Sequence, residues 1–188
     1  MPKIGAEPIR KAALINATIF EIGRAGSLDV TVAQIARRAG MSPALAHHYF
    51  GSKEQMFLSA MRYILRTYGR SVVERLPGHG RRGRLDAIIQ ASFAPQNFQR
   101  ETVSAWINFY ALALINPEAG RLLRVYHRRL RSNLILALRP LTDDPARIAE
   151  TLGALIDGVY LRTVLMRGDV DAKAAITLIS DYLDEALR

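Results

Sequence analysis

The 188 residues contain no cysteine, a single tryptophan and only 7% aromatic side chains. Without cysteine there is no disulfide, no thiolate nucleophile and no cysteine-based zinc site, and a reducing cytoplasm is the expected compartment. No apolar run reaches the roughly 18 residues of a membrane-spanning helix, so no membrane partner is expected. The opening "MPKIGAEPIRKAALIN" also lacks the apolar centre of a signal peptide. Alternating β-branched runs are nearly absent, which argues against sheet. There is no glycine-rich phosphate loop, metal motif or nucleophile elbow, and the four histidines have no partners at catalytic spacing. Neither an enzyme nor a bound cofactor or metal is expected.

Acidic residues are outnumbered, 17 against 26 basic ones, for a net charge of +9. Residues 1–54 hold seven basic and four acidic side chains, residues 55–145 hold 14 and six, and residues 146–188 hold five and seven. A basic front and middle with a mildly acidic tail suits an anionic partner met at one end.

What is present is helix. Ala12, Ile15, Ile19, Phe20 and Ile22 have helical spacing and predict a first helix ending at Gly23–Gly26. Thr31-Val-Ala-Gln34 reads as a capping box opening a second helix that stops at Gly40. Ser42-Pro43 supplies an N-cap and a first-turn proline for a third. Ser52-Lys-Glu-Gln55 is a second capping box, opening a helix from Lys53 to about Leu76. The breaker-rich 77–84 follows, then helices at about 84–93, 97–115, 118–139, 144–166 and 171–187. The predicted fold is all-α: a three-helix head over residues 1–52 and a helical bundle over 53–188.

Two short helices joined through "AGMS" have the helix-turn-helix layout, whose second helix enters the major groove of DNA. Close approach to bases and phosphates favours Pro43, Ala44 and Ala46 over bulky residues. Leu45 and Phe50, with Val32, Ile35 and Ala36, form the predicted small core beneath. His47 and His48 are long enough to reach base edges or phosphates, and the Tyr49 hydroxyl suits a phosphate oxygen. Ser52-Lys53 opens a helix, where free N–H groups and the dipole favour an anion. Thr31, Arg38, Ser42, Pro43, Ala44, His47, His48, Tyr49 and Lys53 make the expected DNA-contact set. The adjacent histidines diverge by about 100° around a helix, so they are poor zinc partners for each other.

The stretch "TVAQIARRAGMSPALAHHYFGSKEQMF" closely resembles the DNA-binding domain of TetR-family transcriptional repressors, down to the "HYF-x-SK" ending. "MPKIG…IRKAALINAT", "AWINFYALA", "RRLRSNL" and "ALIDGVYLR" look like the choline-responsive branch of that family, which represses glycine betaine synthesis genes. The resemblance implies a homodimer on a double-stranded, near-palindromic operator and a small-molecule effector, choline. A regulator of the same type answering another cationic or apolar compound is the alternative.

In the second half, Trp106, Phe109 and Tyr110 fall on one helix side, Phe93 ends the preceding helix, and Asp157 and Tyr160 share "ALIDGVYLR". A quaternary ammonium is held by aromatic faces, worth about 0.5–2 kcal/mol each, and by a nearby negative charge. These six residues are the candidate ligand set. The same spacing also describes an ordinary core, in which Asp157 would pair with Arg162 or Arg131. Leu152, Leu155, Ile156, Val159 and Leu165, then Ile176, Ile179, Leu183 and Leu187, cover more than one face of the last two helices. The resemblance implies that these helices pair with their copies. The stripe Arg121, Arg124, Arg128 and Arg131, and the cluster Arg81, Arg82 and Arg84, read as solvated surface.

Overall fold

The computed structural model describes residues 6–76, 80–166 and 171–188. Helices α1 (Ala6–Ala25), α2 (Val32–Arg38) and α3 (Pro43–Phe50) form the head. The bundle follows as α4 (Lys53–Arg75), α5 (Arg81–Ser92), α6 (Arg100–Ile115), α7 (Pro117–Leu138), α8 (Pro145–Leu165) and α9 (Ala172–Ala186). There is no strand among the described residues. Parts of the expected 77–84 loop lie outside the described residues, and α5 already begins at Arg81. The expected start of the next helix at 97 moves to Arg100, because residues 93–99 are spent on turns held by Asn97 N–H and Phe98 N–H to the Ala94 carbonyl.

Local chemistry explains most helix ends. The Thr31 hydroxyl accepts from Gln34 N–H while the Gln34 side chain takes the Thr31 N–H at 2.7 Å, a complete capping box. Gly40, at φ +68°, lets Gly40 N–H reach the Arg37 carbonyl and Met41 N–H the Ala36 carbonyl, a Schellman closure of α2. Ser42 caps Leu45 N–H at 3.2 Å, with Pro43 in the first turn. The second predicted box is only half formed. Ser52 caps Gln55 N–H at 3.1 Å, but its own N–H already goes to the Phe50 carbonyl at 2.9 Å, leaving the Gln55 side chain to solvent.

The first helix ends at Ala25, inside the expected Gly23–Gly26. Gly23 is there because α1 crosses α6 backbone to backbone: a Cβ at Gly23 would lie 2.2 Å from the Glu101 carbonyl oxygen. Within α3, Ala46 is fully buried and Leu45 half-exposed, the reverse of the expected roles. The crossing of α3 over α2 leaves room for a methyl group, so the small residue goes inward.

One apolar core joins head and bundle, running from Leu14 and Ile22 through Met61 and Phe109 to Leu152 and Leu183. Polar ties add to it. Glu21, 5% exposed, receives the Arg38 guanidinium on Oε1 and Arg24 Nη2 on Oε2 at 3.2 Å. Arg38 also stacks 3.5 Å over the Phe20 ring, locking α2 to α1. Burial pushes the Glu21 carboxyl up, but the two guanidinium hydrogen bonds outweigh it and hold the group below its ordinary value. Its contribution is therefore complete above the unfolded value of about 4.3 and is lost as pH falls through the lower folded value. Urea unfolding should show Glu21→Gln less stable than the parent at pH 6, with the gap closing in the acid range. A gap that stays constant to pH 3 would remove the ion pair from the account.

Candidate functional site

The head presents an exposed polar face. Thr31, Ser42, Pro43, Ala44, His47 and His48 are exposed, while Tyr49 and Lys53 are half-buried. His47 Nδ1–H donates to the Gly51 carbonyl at 3.2 Å, which leaves Nε2 for an outside partner. Tyr49 is steadied by the His48 ring at 5.5 Å and by Lys11 Nζ at 5.8 Å from its centroid. Lys53, in the first turn of α4, lies 5.4 Å from the Phe57 ring. Arg38 is the member of the expected set that differs. Its guanidinium is engaged by Glu21 and Phe20, and its structural task is to hold the α1–α2 angle. The acid at Glu21, alone among Ile19, Phe20 and Ile22, was the signal for that pair.

The bundle assembles most of the second set from separate helices. Tyr110 on α6 donates its hydroxyl to Asp157 Oδ1 on α8 at 2.7 Å. His127 Nε2 on α7 sits 3.4 Å from that hydroxyl and 3.6 Å from Asp157 Oδ2. Trp106 meets Tyr110 and Tyr126 edge-on, each at 5.2 Å. Tyr126 in turn meets Tyr68 of α4 at 5.7 Å. Tyr160 stacks on Phe98 at 5.5 Å, touches Phe93 at 5.7 Å, and donates its hydroxyl to the Ser92 carbonyl. A cavity of about 20 Å³ lies between Tyr68, Trp106, Tyr126 and Tyr160, with Asn97 and Thr102 supplying polar wall.

Six residues had been expected here; five join this array and one does not. Phe109 is fully buried but makes no ring contact with the cluster among the described residues. Three positions from Trp106 on the helix, it is turned into the common core. Asp157 pairs with neither Arg162 nor Arg131: Arg131 Nε goes to Glu150 at 3.3 Å, and Tyr110 and His127 take the carboxylate. Tyr68, Tyr126 and His127 were missed. They lie on α4 and α7, and nothing in the local sequence of either helix marks them as facing Trp106.

Electrostatics concentrate at Asp157, whose side chain is 31% exposed. Burial pushes its carboxyl above the ordinary value, partly offset by the Tyr110 hydrogen bond and by His127. Burial likewise raises Tyr68 to about 12, and also raises Tyr110, Tyr126 and Tyr160, with the Asp157 charge contributing to those three. All four phenols are therefore neutral at physiological pH, and the one acid is short of solvation. The Trp106 indole N–H is buried with no acceptor among the described residues. Partly desolvated negative charge, aromatic faces and a spare donor are what a small organic cation bearing a hydroxyl can use.

An exposed helix-turn-helix joined by one long helix to a bundle with such a cluster defines a ligand-responsive transcriptional regulator. Residues 14–60 match the model of the bacterial regulatory proteins of the tetR family, and residues 81–188 match the BetI-type transcriptional repressor C-terminal domain. The chain is 50% identical over 186 residues to the HTH-type transcriptional regulator BetI of Brucella suis, covering 97% of this chain and 94% of that one. It is 49% identical to the BetI of Agrobacterium fabrum, over 100% and 93% of the two chains. This protein belongs to the BetI-type repressors of the TetR family, and it is a transcriptional regulator, not an enzyme. Its fold matches a putative transcriptional regulator from Saccharomonospora viridis in complex with choline, with a TM-score of 0.83, 22% identity and coverage of 94% and 96%. A TetR transcription regulator from Haloarcula marismortui gives the same TM-score at 19% identity, over 95% and 98%. No described helix is long and apolar enough to cross a membrane.

Proposed function

We propose that this chain is a dimeric repressor of a near-palindromic operator controlling glycine betaine synthesis or choline uptake genes, and that choline relieves the repression. The observation that carries the ligand assignment is the Tyr110–Asp157 bond: a poorly solvated carboxylate joined to an array of buried aromatic rings. The trimethylammonium group lies against Trp106, Tyr110, Tyr126 and Tyr160, with Phe93 supporting Tyr160 from behind. The hydroxyl accepts from the Trp106 indole. The choline bound by the Saccharomonospora protein of the same fold supports this reading.

The present cavity, about 20 Å³, has room for about one water molecule, so choline must displace ring side chains to enter. Tyr68 and Tyr126 form that wall, and Tyr68 belongs to α4, the helix that begins at Lys53. Pushing this wall moves α4 and with it the head. The α6–α7 corner adds leverage near the other end, where Asn116 bonds Glu54 and Glu118 pairs with Arg62. Choline releases DNA only by as much as it prefers the displaced arrangement.

The DNA-reading set is Thr31, Ser42, Pro43, Ala44, His47, His48, Tyr49 and Lys53, with residues 1–52 as the reading head. Half-exposed Arg38 adds positive charge to that face from its place on Glu21. On α8 and α9 the exposed Leu161, Leu165 and Leu178 extend an apolar face suited to a second copy. A twofold pair would set two recognition helices about 34–36 Å apart. Operator affinity should fall steeply with salt, by about 0.9 log units per log unit of salt for each phosphate contacted. Tyr49→Phe should weaken all sequences alike, about threefold to tenfold, whereas His47→Ala should change the preference among bases. A flat salt response, or base preference that follows Tyr49 instead, overturns these assignments.

Trp106 is the only tryptophan, so its fluorescence reports ligand entry directly. Choline should bind saturably and lower operator affinity in parallel, while the neutral isostere with carbon in place of nitrogen binds at least about tenfold more weakly. Equal binding of the isostere would return the cluster to the core and favour an apolar effector.

A further inference from the structure

A cavity of about 620 Å³ lies between α4, α5 and α7. It shares Tyr68 and Tyr126 with the small aromatic cavity, so this edge-on pair is a common wall. Its floor is apolar, with Val72, Ile88, Leu130 and Ala137 all buried. Its rim carries Val73, Val125 and Leu136, which are 65%, 41% and 55% exposed. Single exposed apolar side chains are ordinary, but three around one apolar hollow mark a surface that can take an apolar body.

The charge around it has one sign. Arg62, Arg66, Arg84 and Arg129 line the cavity and no carboxylate does among the described residues. Arg62 is neutralised by Glu118. Arg66, Arg84 and Arg129 are exposed and have no ion-pair partner among the described residues. Arg129 lies off the stripe read as solvated surface, and Arg84, read the same way, edges the hollow. Such a rim repels the cation proposed for Asp157, so this hollow is a different site. A volume within the roughly 300–1,000 Å³ of small-molecule pockets, an apolar floor and uncompensated guanidinium groups select an apolar chain with an anionic head.

We propose that this groove binds a single-chain amphipathic anion, with its acyl chain on Val72, Ile88 and Leu130 and its head on Arg66, Arg84 and Arg129. A free long-chain carboxylate and a long-chain alkyl phosphate ester share this chemistry. The test is calorimetry on the full chain with decanoate, decyl phosphate and decanol, each below its micellar concentration. Decanoate or decyl phosphate should bind saturably, and decanol at least about tenfold more weakly. A preference for decanoate identifies the carboxylate source, and one for decyl phosphate the ester. The double variant Arg66→Glu/Arg129→Glu, changed only at exposed positions, should lose about tenfold or more in anion affinity with its helical circular dichroism unchanged. Val73→Asp should lose it as well. Equal binding of decanol and decanoate, undiminished binding by the double variant, or no binding at all overturns the proposal. So does a fall in sedimentation mass in Leu136→Glu without amphiphile binding, which would show the groove covered by a second copy. None of these results bears on choline binding at Asp157.

Discussion

Replacing Gly23 by alanine should lower the unfolding temperature by about 6–12 °C, the equivalent of about 3 kcal/mol in a chain of this size. The direction is the informative part. Alanine in a helix interior is ordinarily better than glycine by roughly 0.5–1 kcal/mol. At Gly23 the added Cβ would sit 2.2, 2.5 and 2.6 Å from the oxygen, Cα and carbonyl carbon of Glu101, all backbone atoms that cannot rotate away. Helices α1 and α6 must then separate, and the core through Ile22 and Val103 opens with them. Gly69→Ala, inside α4 with nothing within 4 Å of the new methyl, is the control and should be neutral or stabilising. Thermal unfolding of the two variants checks this. If both shift alike, the α1–α6 contact is looser than described. Because α1 carries α2 through Glu21 and Arg38, Gly23→Ala should also weaken operator binding at temperatures where it remains folded.

The second large effect falls on Asp157. Asp157→Asn should weaken choline about 30- to 150-fold, or about 2–3 kcal/mol. A fully buried pair would lose about 3–5 kcal/mol, and the partial exposure of this carboxylate reduces that through solvent screening. The pH dependence follows from the same charge. A cation favours the ionised acid, so affinity is level above the Asp157 pKa and falls as pH drops through it. Because burial raises that pKa, the loss should begin at a higher pH than an ordinary carboxylate gives. Tyr110→Phe removes the hydrogen bond that favours the ionised form and should move the loss higher still. Calorimetric titration across pH 4–8 reads all three proteins, with Asp157→Asn expected to be flat. A parent affinity that rises on acidification would remove Asp157 from the site.

Short-range chemistry was legible in the chain. Thr31 with Gln34, Ser42 with Pro43 and Gly40 each act within four residues, so their caps and turns followed from spacing alone. The failures at the same range are instructive. Gln55 lacked its half of the capping box because Phe50, from the preceding helix, took the Ser52 N–H first. Leu45 and Ala46 exchanged places because the space under α3 is set by α2, and no pattern within eight residues encodes that distance.

The sequence by itself determined an all-α regulator with a helix-turn-helix head, since helix periodicity, caps and the family motif are local and additive. It also marked Trp106, Tyr110, Asp157 and Tyr160 as unusual residues. Only the tertiary structure decided what they meet. It brought Tyr68 and Tyr126 from two other helices against Trp106, turned Phe109 away, and gave Asp157 to Tyr110 and His127 instead of an arginine. It also moved Arg38 onto Glu21 and made Gly23 a point of contact between backbones. Which face of one helix lies against which face of another depends on the fit of the whole core, and that fit is a property of all the described helices together.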